Sequence, residues 1–338
     1  MHFTSIEAIF DAFNALKVLI IGDVMLDTYT WGKVERISPE APVPIVKAIK
    51  RENRLGGAAN VALNVQALGA TPMLLSVIGA DAKAEHFLQL IYDANIAATG
   101  IVKHHERSTI VKERVIAGSQ HLLRIDTESP HPLHSEQEEN FIALIKKYLL
   151  QADVVIFEDY DKGCLTPRVI QEVIHGACKA GIPTVVDPKI KNFLSYENAT
   201  LFKPNLKELK EGLNISLSTT DKETLACTAH NLRARLKVAI ALVTLSEQGV
   251  YVDSAQESCF IPAHIRDVAD VSGAGDTVVS IAALLLALRL PVKLIATLAN
   301  LGGGLVCEHV GVAPIHKKQL MQEALASNMH MFIQGIAH

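Results

Sequence analysis

No Cys-x-x-Cys pair occurs, and the five cysteines (Cys164, Cys178, Cys227, Cys259 and Cys307) are odd in number and far apart. That pattern excludes a disulfide framework and a thiolate zinc site. No long basic run occurs and the formal net charge is −4, so neither nucleic acid nor an anionic membrane is the expected partner. The longest apolar run, about 11 residues following Asp276, stops at Arg289-Leu290-Pro291. A membrane-spanning helix needs roughly 20. The N-terminal stretch places Glu7 and Asp11 in an amphipathic pattern and lacks the basic start and cleavage site of a secretory leader, so a cytoplasmic protein is expected. Gly-x-x-x-x-Gly-Lys-Ser/Thr, His-Glu-x-x-His and Gly-x-Ser-x-Gly are all missing, which removes P-loop, zincin and serine-hydrolase chemistry. His104-His105 and His131-Pro132-Leu133-His134 lie in polar, loop-like stretches where metal ligation is not expected. Small-molecule chemistry remains.

What is present is an apolar content of 49% in 338 residues, enough for one large α/β domain with an appendage. Val18-Leu19-Ile20-Ile21 reads as a strand buried on both faces, ending at Gly22. A dinucleotide-binding fold would continue with Gly-x-Gly-x-x-Gly, but the chain has Gly22-Asp23-Val24-Met25-Leu26-Asp27. Strand-like and helix-like segments then alternate at 74–78, 85–94, 136–150, 154–157, 167–180, 184–186 and 200–203. This pattern predicts a doubly wound, mostly parallel sheet flanked by helices. Residues 28–54 carry Pro39, Pro42 and Pro44 and no helical period, which predicts short edge strands and turns. They are assigned, with the strand-like 109–126, to a small β lid on a single domain spanning 1–338. Lys112 and Arg114 share one face of that second segment by the two-residue period.

The chemistry is expected at Asp270-Val271-Ser272-Gly273-Ala274-Gly275-Asp276, which opens a small-residue helix. A helix N-terminus leaves unpaired N–H groups and partial positive charge, so Gly273, Ala274 and Gly275 form a cradle for an anion. Asp276 beside it can accept a proton from a hydroxyl, and the pair is what phosphoryl transfer to an alcohol requires. An acidic helix cap would look the same locally. Asp23 and Asp27 at a strand end can accept from sugar hydroxyls, and Gly56-Gly57 followed by Asn60 permits close backbone approach plus a donor and an acceptor.

Polar residues also follow the later strands. Asn205 and Glu208, three apart at a helix start, could hold hydrated Mg²⁺, although capping also explains Asn205. Thr244, Ser246, Glu247 and Gly249 form a strand end and glycine turn able to touch phosphate or ribose. Asn300 with Gly302-Gly303-Gly304 sits in a late helix, where each glycine costs roughly 1 kcal/mol relative to Ala. Packing against adenine, or close helix packing, would justify them.

These residues resemble the ribokinase-like (PfkB) carbohydrate kinase family over essentially the whole chain. Gly56-Gly57-x-x-Asn60 resembles its first signature and Asp270-x-x-Gly273-Ala274-Gly275-Asp276 its second. The resemblance implies Asp276 as catalytic base, Gly273, Ala274 and Gly275 as the anion hole, and Asn205 with Glu208 organising Mg²⁺. It further implies an ATP site at Asn205, Thr244, Ser246, Glu247, Gly249, Asn300 and Gly303 and a homodimer joined through the lids, and it leaves open whether a monovalent cation is required. Val271 stands where the family usually has Thr. Within the family, Gly22 to Asp27, residues 36–44, Asp187-Pro188-Lys189 and Ser246-Glu247-Gln248-Gly249 look like the heptose-7-phosphate kinases. The implied reaction is phosphorylation of the anomeric hydroxyl of D-glycero-D-manno-heptose 7-phosphate, toward lipopolysaccharide core. Its sugar phosphate is expected to meet Asp23, Asp27, Gly56, Gly57, Asn60, Arg114, Lys162 and Lys189. No His-x-Gly-His nucleotidyltransferase motif is present, so a stand-alone kinase is expected. Two alternatives stay open: a kinase of the same fold for fructose phosphate, ribose or a nucleoside, and a non-catalytic sugar-phosphate sensor.

Overall fold

The computed structural model describes every residue except 1–2, 119, 130, 219–220, 265, 328 and 330–338. In chain order the elements are α1 (Ile6–Ala12), β1 (Lys17–Gly22), β2 (Val24–Ile37), β3 (Pro44–Gly57), α2 (Ala58–Ala67), β4 (Thr71–Gly79), α3 (Ala82–Asp93), β5 (Ile101–His104), β6 (Val111–Ala117) and β7 (Gln120–Thr127). They continue with α4 (Ser135–Leu149), β8 (Val154–Glu158), α5 (Pro167–Ala180), β9 (Thr184–Asp187), β10 (Leu201–Phe202), α6 (Leu206–Leu213), α7 (Lys222–Leu236), β11 (Ile240–Thr244), β12 (Val250–Ser254), β13 (Ser258–Ile261), α8 (Ala274–Ala287), α9 (Val292–Val306) and α10 (Lys317–Ala326).

The larger sheet has the order β13-β12-β11-β10-β9-β8-β1-β4-β5. Its strands run parallel from β5 through β11, and β12 and β13 add an antiparallel edge. Side chains of one strand alternate between faces, so β1 serves two cores at once. Val18 and Ile20 join the core under α1, α2, α3, α8, α9 and α10. Leu19 and Ile21 join the core under α4 to α7. Helix ends follow local chemistry. Thr166 caps α5 by accepting from Val169 N at 3.2 Å, Pro167 occupies its first turn, and Gly181 ends it in a left-handed conformation at φ 68°.

The second sheet has the order β3-β2-β6-β7. The reading of 28–54 as short edge strands is corrected here: β2 and β3 are 14 residues each, paired from Val24–Gly57 out to Ile37–Pro44. The prolines did not interrupt them because Pro39 and Pro42 lie in the connection and Pro44 is the first residue of β3, where no ladder N–H is needed. Register shifts at Trp31/Gly32 and Val34/Arg36 bend the ribbon. β3 then passes into α2 with no intervening loop. Gly57 makes that junction at φ 59°, where a Cβ would lie 2.4 Å from Asp23 O.

Candidate active site

Parallel strands of an open sheet deliver their next residues to one crevice. Here the carboxyl ends of β8, β9, β10 and β11 bring Tyr160, Asp187, Lys203 and Thr244 onto the wall of one cavity of about 1190 Å³. The Gly273-Ala274-Gly275-Asp276 start of α8 forms the adjoining wall. Gly273 caps that helix at φ 82°, and among the described residues the amides of Gly275 and Asp276 meet no acceptor. A Cβ on Gly275 would stand 3.7 Å from Lys203 Nζ, so bare amides, a helix N-terminus and a buried ammonium face the same space.

Asp276 is buried. Its Oδ2 accepts from Asn60 Nδ2 at 2.6 Å and its Oδ1 from Tyr160 Oη at 3.2 Å. Asn60 is 216 residues away in sequence. It arrives because α2 packs on α8, with Thr277 Oγ1 donating to Asn64 Oδ1 at 3.0 Å. Burial pushes the Asp276 carboxyl up to about 6; the Asn60 and Tyr160 hydrogen bonds hold it down, and Asp187 adds to the rise. Burial, then the Asp276 charge, drives the Tyr160 phenol well above its ordinary range, so it stays a donor.

Glu158, Asp187 and Asp276 each place a carboxylate oxygen within 4.8 Å of the others. Asp187 pairs with Lys203 at 2.9 Å, both side chains nearly inaccessible. Burial alone would lower the Lys203 pKa, but Asp187 and Glu208 together raise it. Burial, reinforced by Asp187 and Asp276, drives the Glu158 carboxyl well up. Glu158 Oε2 is buried with no hydrogen-bond partner among the described residues. A hard, oxygen-only donor set with one orphaned oxygen fits Mg²⁺.

The structure sorts the residues singled out from sequence. Asn205, Thr244, Ser246 and Glu247 line the cavity, as do Gly249, Asn300 and Gly303. Gly302 is set by helix packing, since a Cβ there would lie 2.1 Å from Ile281 Cδ1 on α8; Gly303 is tight against Val278 Cγ2 at 2.7 Å while also bordering the cavity. Gly56 lies against Asp27, whose Oδ2 a Cβ would approach to 2.1 Å.

Two expectations need correction. Asp23 is not free for a sugar: Oδ2 accepts from the amides of Tyr160 and Lys162 at 3.0 Å each, and Oδ1 from Cys164 N at 3.1 Å. It shapes the loop that presents Tyr160. Arg114, Lys162 and Lys189 do not converge as unpaired cations, because they are ion-paired with Asp27, Glu128 and Glu208. Asn205 and Glu208 show the capping that the sequence left open beside a water-mediated role toward Mg²⁺. They cap each other reciprocally, Asn205 Oδ1 accepting from Glu208 N at 2.8 Å and Glu208 Oε2 from Asn205 N at 2.9 Å. Asp276 is joined by Glu158, Tyr160, Asp187 and Lys203, which the sequence offers as polar residues at strand ends without grouping them with it. Their signal was that each is among the first polar residues after an apolar strand.

The sequence description of pfkB family carbohydrate kinases matches residues 15–318. The chain is 38% identical over 327 residues to the bifunctional protein HldE of Syntrophotalea carbinolica, covering 96% of this chain and 66% of that protein. The chain thus spans about two thirds of the relative's length. Among solved structures, phosphofructokinase-2 from Escherichia coli in complex with potassium superposes with a TM-score of 0.75 at 20% identity, covering 94% of this chain and 99% of that one. Arabidopsis thaliana ribokinase complexed with ribose and ATP gives 0.70 at 16%, covering 91% and 99%. At those identities the likeness speaks for the ribokinase-like fold.

Proposed function

This chain belongs to the pfkB family of carbohydrate kinases, and from that premise we propose that it transfers the γ-phosphoryl group of ATP to the anomeric hydroxyl of D-glycero-D-manno-heptose 7-phosphate, toward ADP-heptose and lipopolysaccharide core. The observation that carries it is a buried Asp276 carboxylate, oriented by Asn60 and Tyr160, beside unpaired amides at the start of α8. In this reading Asp276 takes the hydroxyl proton. The Gly273-Ala274-Gly275 turn, the Gly275 and Asp276 amides and Lys203 balance charge on the group in transit, which is the main work of phosphoryl-transfer catalysts. ATP lies in the cavity along Asn205, Thr244, Ser246, Glu247, Gly249, Asn300 and Gly303. Glu158 and Asp187 would hold Mg²⁺, with Asn205 and Glu208 reaching it through water; the ion supplies neutralisation of the phosphate oxygens. The sugar sits between Asp276 and the second sheet, against Asp27, Gly56, Gly57 and Asn60. The choice of heptose rests on the motifs resembling heptose-7-phosphate kinases, and the similarity to HldE supports it.

The test is a side-by-side assay of heptose 7-phosphate, unphosphorylated heptose, fructose 6-phosphate and ribose. The heptose phosphate should exceed the neutral heptose in kcat/KM by about 10–100-fold, the worth of one charge-assisted contact. Preference for any other sugar would replace the heptose assignment, and no ATP turnover with any would favour a sensor.

The proposal extends to assembly, with 28–54 and 109–126 as a lid on one kinase domain. Val34, Ile37, Ile49, Leu123 and Ile125 on the second sheet are exposed, more apolar surface than a solvated edge sheet ordinarily shows. We expect a homodimer through this sheet, with light scattering giving twice 36.7 kDa at micromolar concentration. Leu123→Asp with Ile125→Asp should return the monomer mass; a wild-type monomer would refute the dimer.

A further inference from the structure

The register of the second sheet places Asp27, Arg54 and Lys112 side by side, then Tyr29, Glu52 and Arg114, with Asp126 and Arg124 continuing the two rows on β7. Residues directly opposite in register point to the same face, so these side chains share one surface, and the burial of Asp27 and Tyr29 shows that it turns inward. Charges on that surface are matched with one exception. Lys50 and Arg54 both meet Glu52 at 2.6 Å, Arg114 meets Asp27, and Arg124 meets Asp126 at 2.9 Å.

Lys112 is the exception. Among the described residues it has no hydrogen bond or ion pair, and its ammonium rests over the ring of Tyr160, 5.0 Å from the centroid. Tyr160 is the residue whose hydroxyl holds Asp276. The unmatched cation therefore stands one aromatic ring from the carboxylate assigned to the acceptor hydroxyl. Burial, and then Arg114 after the opposing pull of Asp27, lowers the Lys112 pKa. An ammonium partly removed from water without a counterion is a poor resting arrangement and a good receptor for an anion.

We infer that Lys112 receives the phosphate of the sugar substrate and is the residue that selects phosphorylated over neutral sugar. This rests on the sugar-phosphate kinase reading, and replaces Arg114, Lys162 and Lys189 as the expected phosphate contacts. A cation over an aromatic face keeps its position without an anionic partner, so the N–H groups turned away from the ring stay available to phosphate oxygens.

The experiment compares wild type, Lys112→Met and Lys112→Arg on heptose 7-phosphate and unphosphorylated heptose, with ATP KM measured alongside. Lys112→Met should lose about 10–100-fold in kcat/KM on the phosphorylated sugar, mostly through KM, with neutral-sugar activity and ATP KM unchanged. Inorganic phosphate should compete with the sugar in wild type and lose that effect in Lys112→Met, while Lys112→Arg keeps both properties. Equal losses on the two sugars, or a change confined to ATP KM, overturns the inference. If wild type rejects heptose 7-phosphate but accepts another phosphorylated sugar, the heptose assignment fails, and the same comparison on that sugar and its neutral parent decides the role of Lys112. A wild type that accepts only neutral sugars overturns both.

Discussion

Asp276→Asn should lower kcat by about 10²–10⁴, the usual worth of a positioned general base, while the protein becomes no less stable. The amide can keep both contacts, Oδ1 accepting from Asn60 Nδ2 and Nδ2 donating to Tyr160 Oη. Stability follows from linkage. The folded carboxyl titrates at about 6 against an ordinary 3.8, so the folded protein holds this proton more tightly than the unfolded chain. That is a penalty fully felt above pH 6 and relieved as pH falls from 6 toward 3.8. At roughly 1.4 kcal/mol per pK unit, a neutral side chain removes a burden of at most about 3 kcal/mol. The same titration sets the pH profile: below about pH 6 the carboxyl is protonated and cannot take the hydroxyl proton, so kcat/KM of wild type should fall tenfold per unit there. Denaturation curves and a pH series on both proteins check this. More than a tenth of wild-type kcat in the variant would remove Asp276 from the base role.

Lys203→Met should destabilise the protein by about 3–5 kcal/mol, because removing one partner of a buried pair leaves the other charge uncompensated. The side chains of Lys203 and Asp187 are 3% and 8% exposed, so water cannot take the place of the lost ammonium. Asp276 stands beside Asp187, adding to the negative charge left behind. Asp187→Asn added to Lys203→Met should restore most of the stability, since two neutral side chains replace a broken pair. Urea unfolding of both variants decides the matter; a single-variant loss below about 1 kcal/mol, the size of an exposed pair, would show that the charge is screened.

The parts of the site that lie close together in sequence were legible. The small-residue helix after Gly273-Ala274-Gly275-Asp276, the twin glycines before Asn60, and the glycine turn at Gly249 declare their geometry locally, because a positive φ or a bare helix start is a property of a few consecutive residues. The apolar run Val18 to Ile21 declared a strand buried on both faces, since nothing polar interrupts it. The element boundaries follow from the same local chemistry, as with Thr166, Pro167 and Gly181 around α5. Residues 28–54 were misjudged because prolines in a connection and at the first residue of a strand look, one by one, like prolines inside it.

Partnerships were not legible. Asp23 reads as a free strand-end acid, yet the loop from Tyr160 to Cys164 closes over it and takes both oxygens. Arg114, Lys162 and Lys189 read as three cations awaiting an anion, yet each meets its own carboxylate. By itself the sequence determined the α/β class and pointed to the candidate anion cradle and the candidate base Asp276, because each depends on short-range pattern. Only the tertiary structure decided which charges remain unmatched, because pairing depends on strand register and crossover, which bring together residues as distant as Asn60 and Asp276 and set Lys112 over the Tyr160 ring, which Lys189 also approaches, without an ion pair of its own among the described residues.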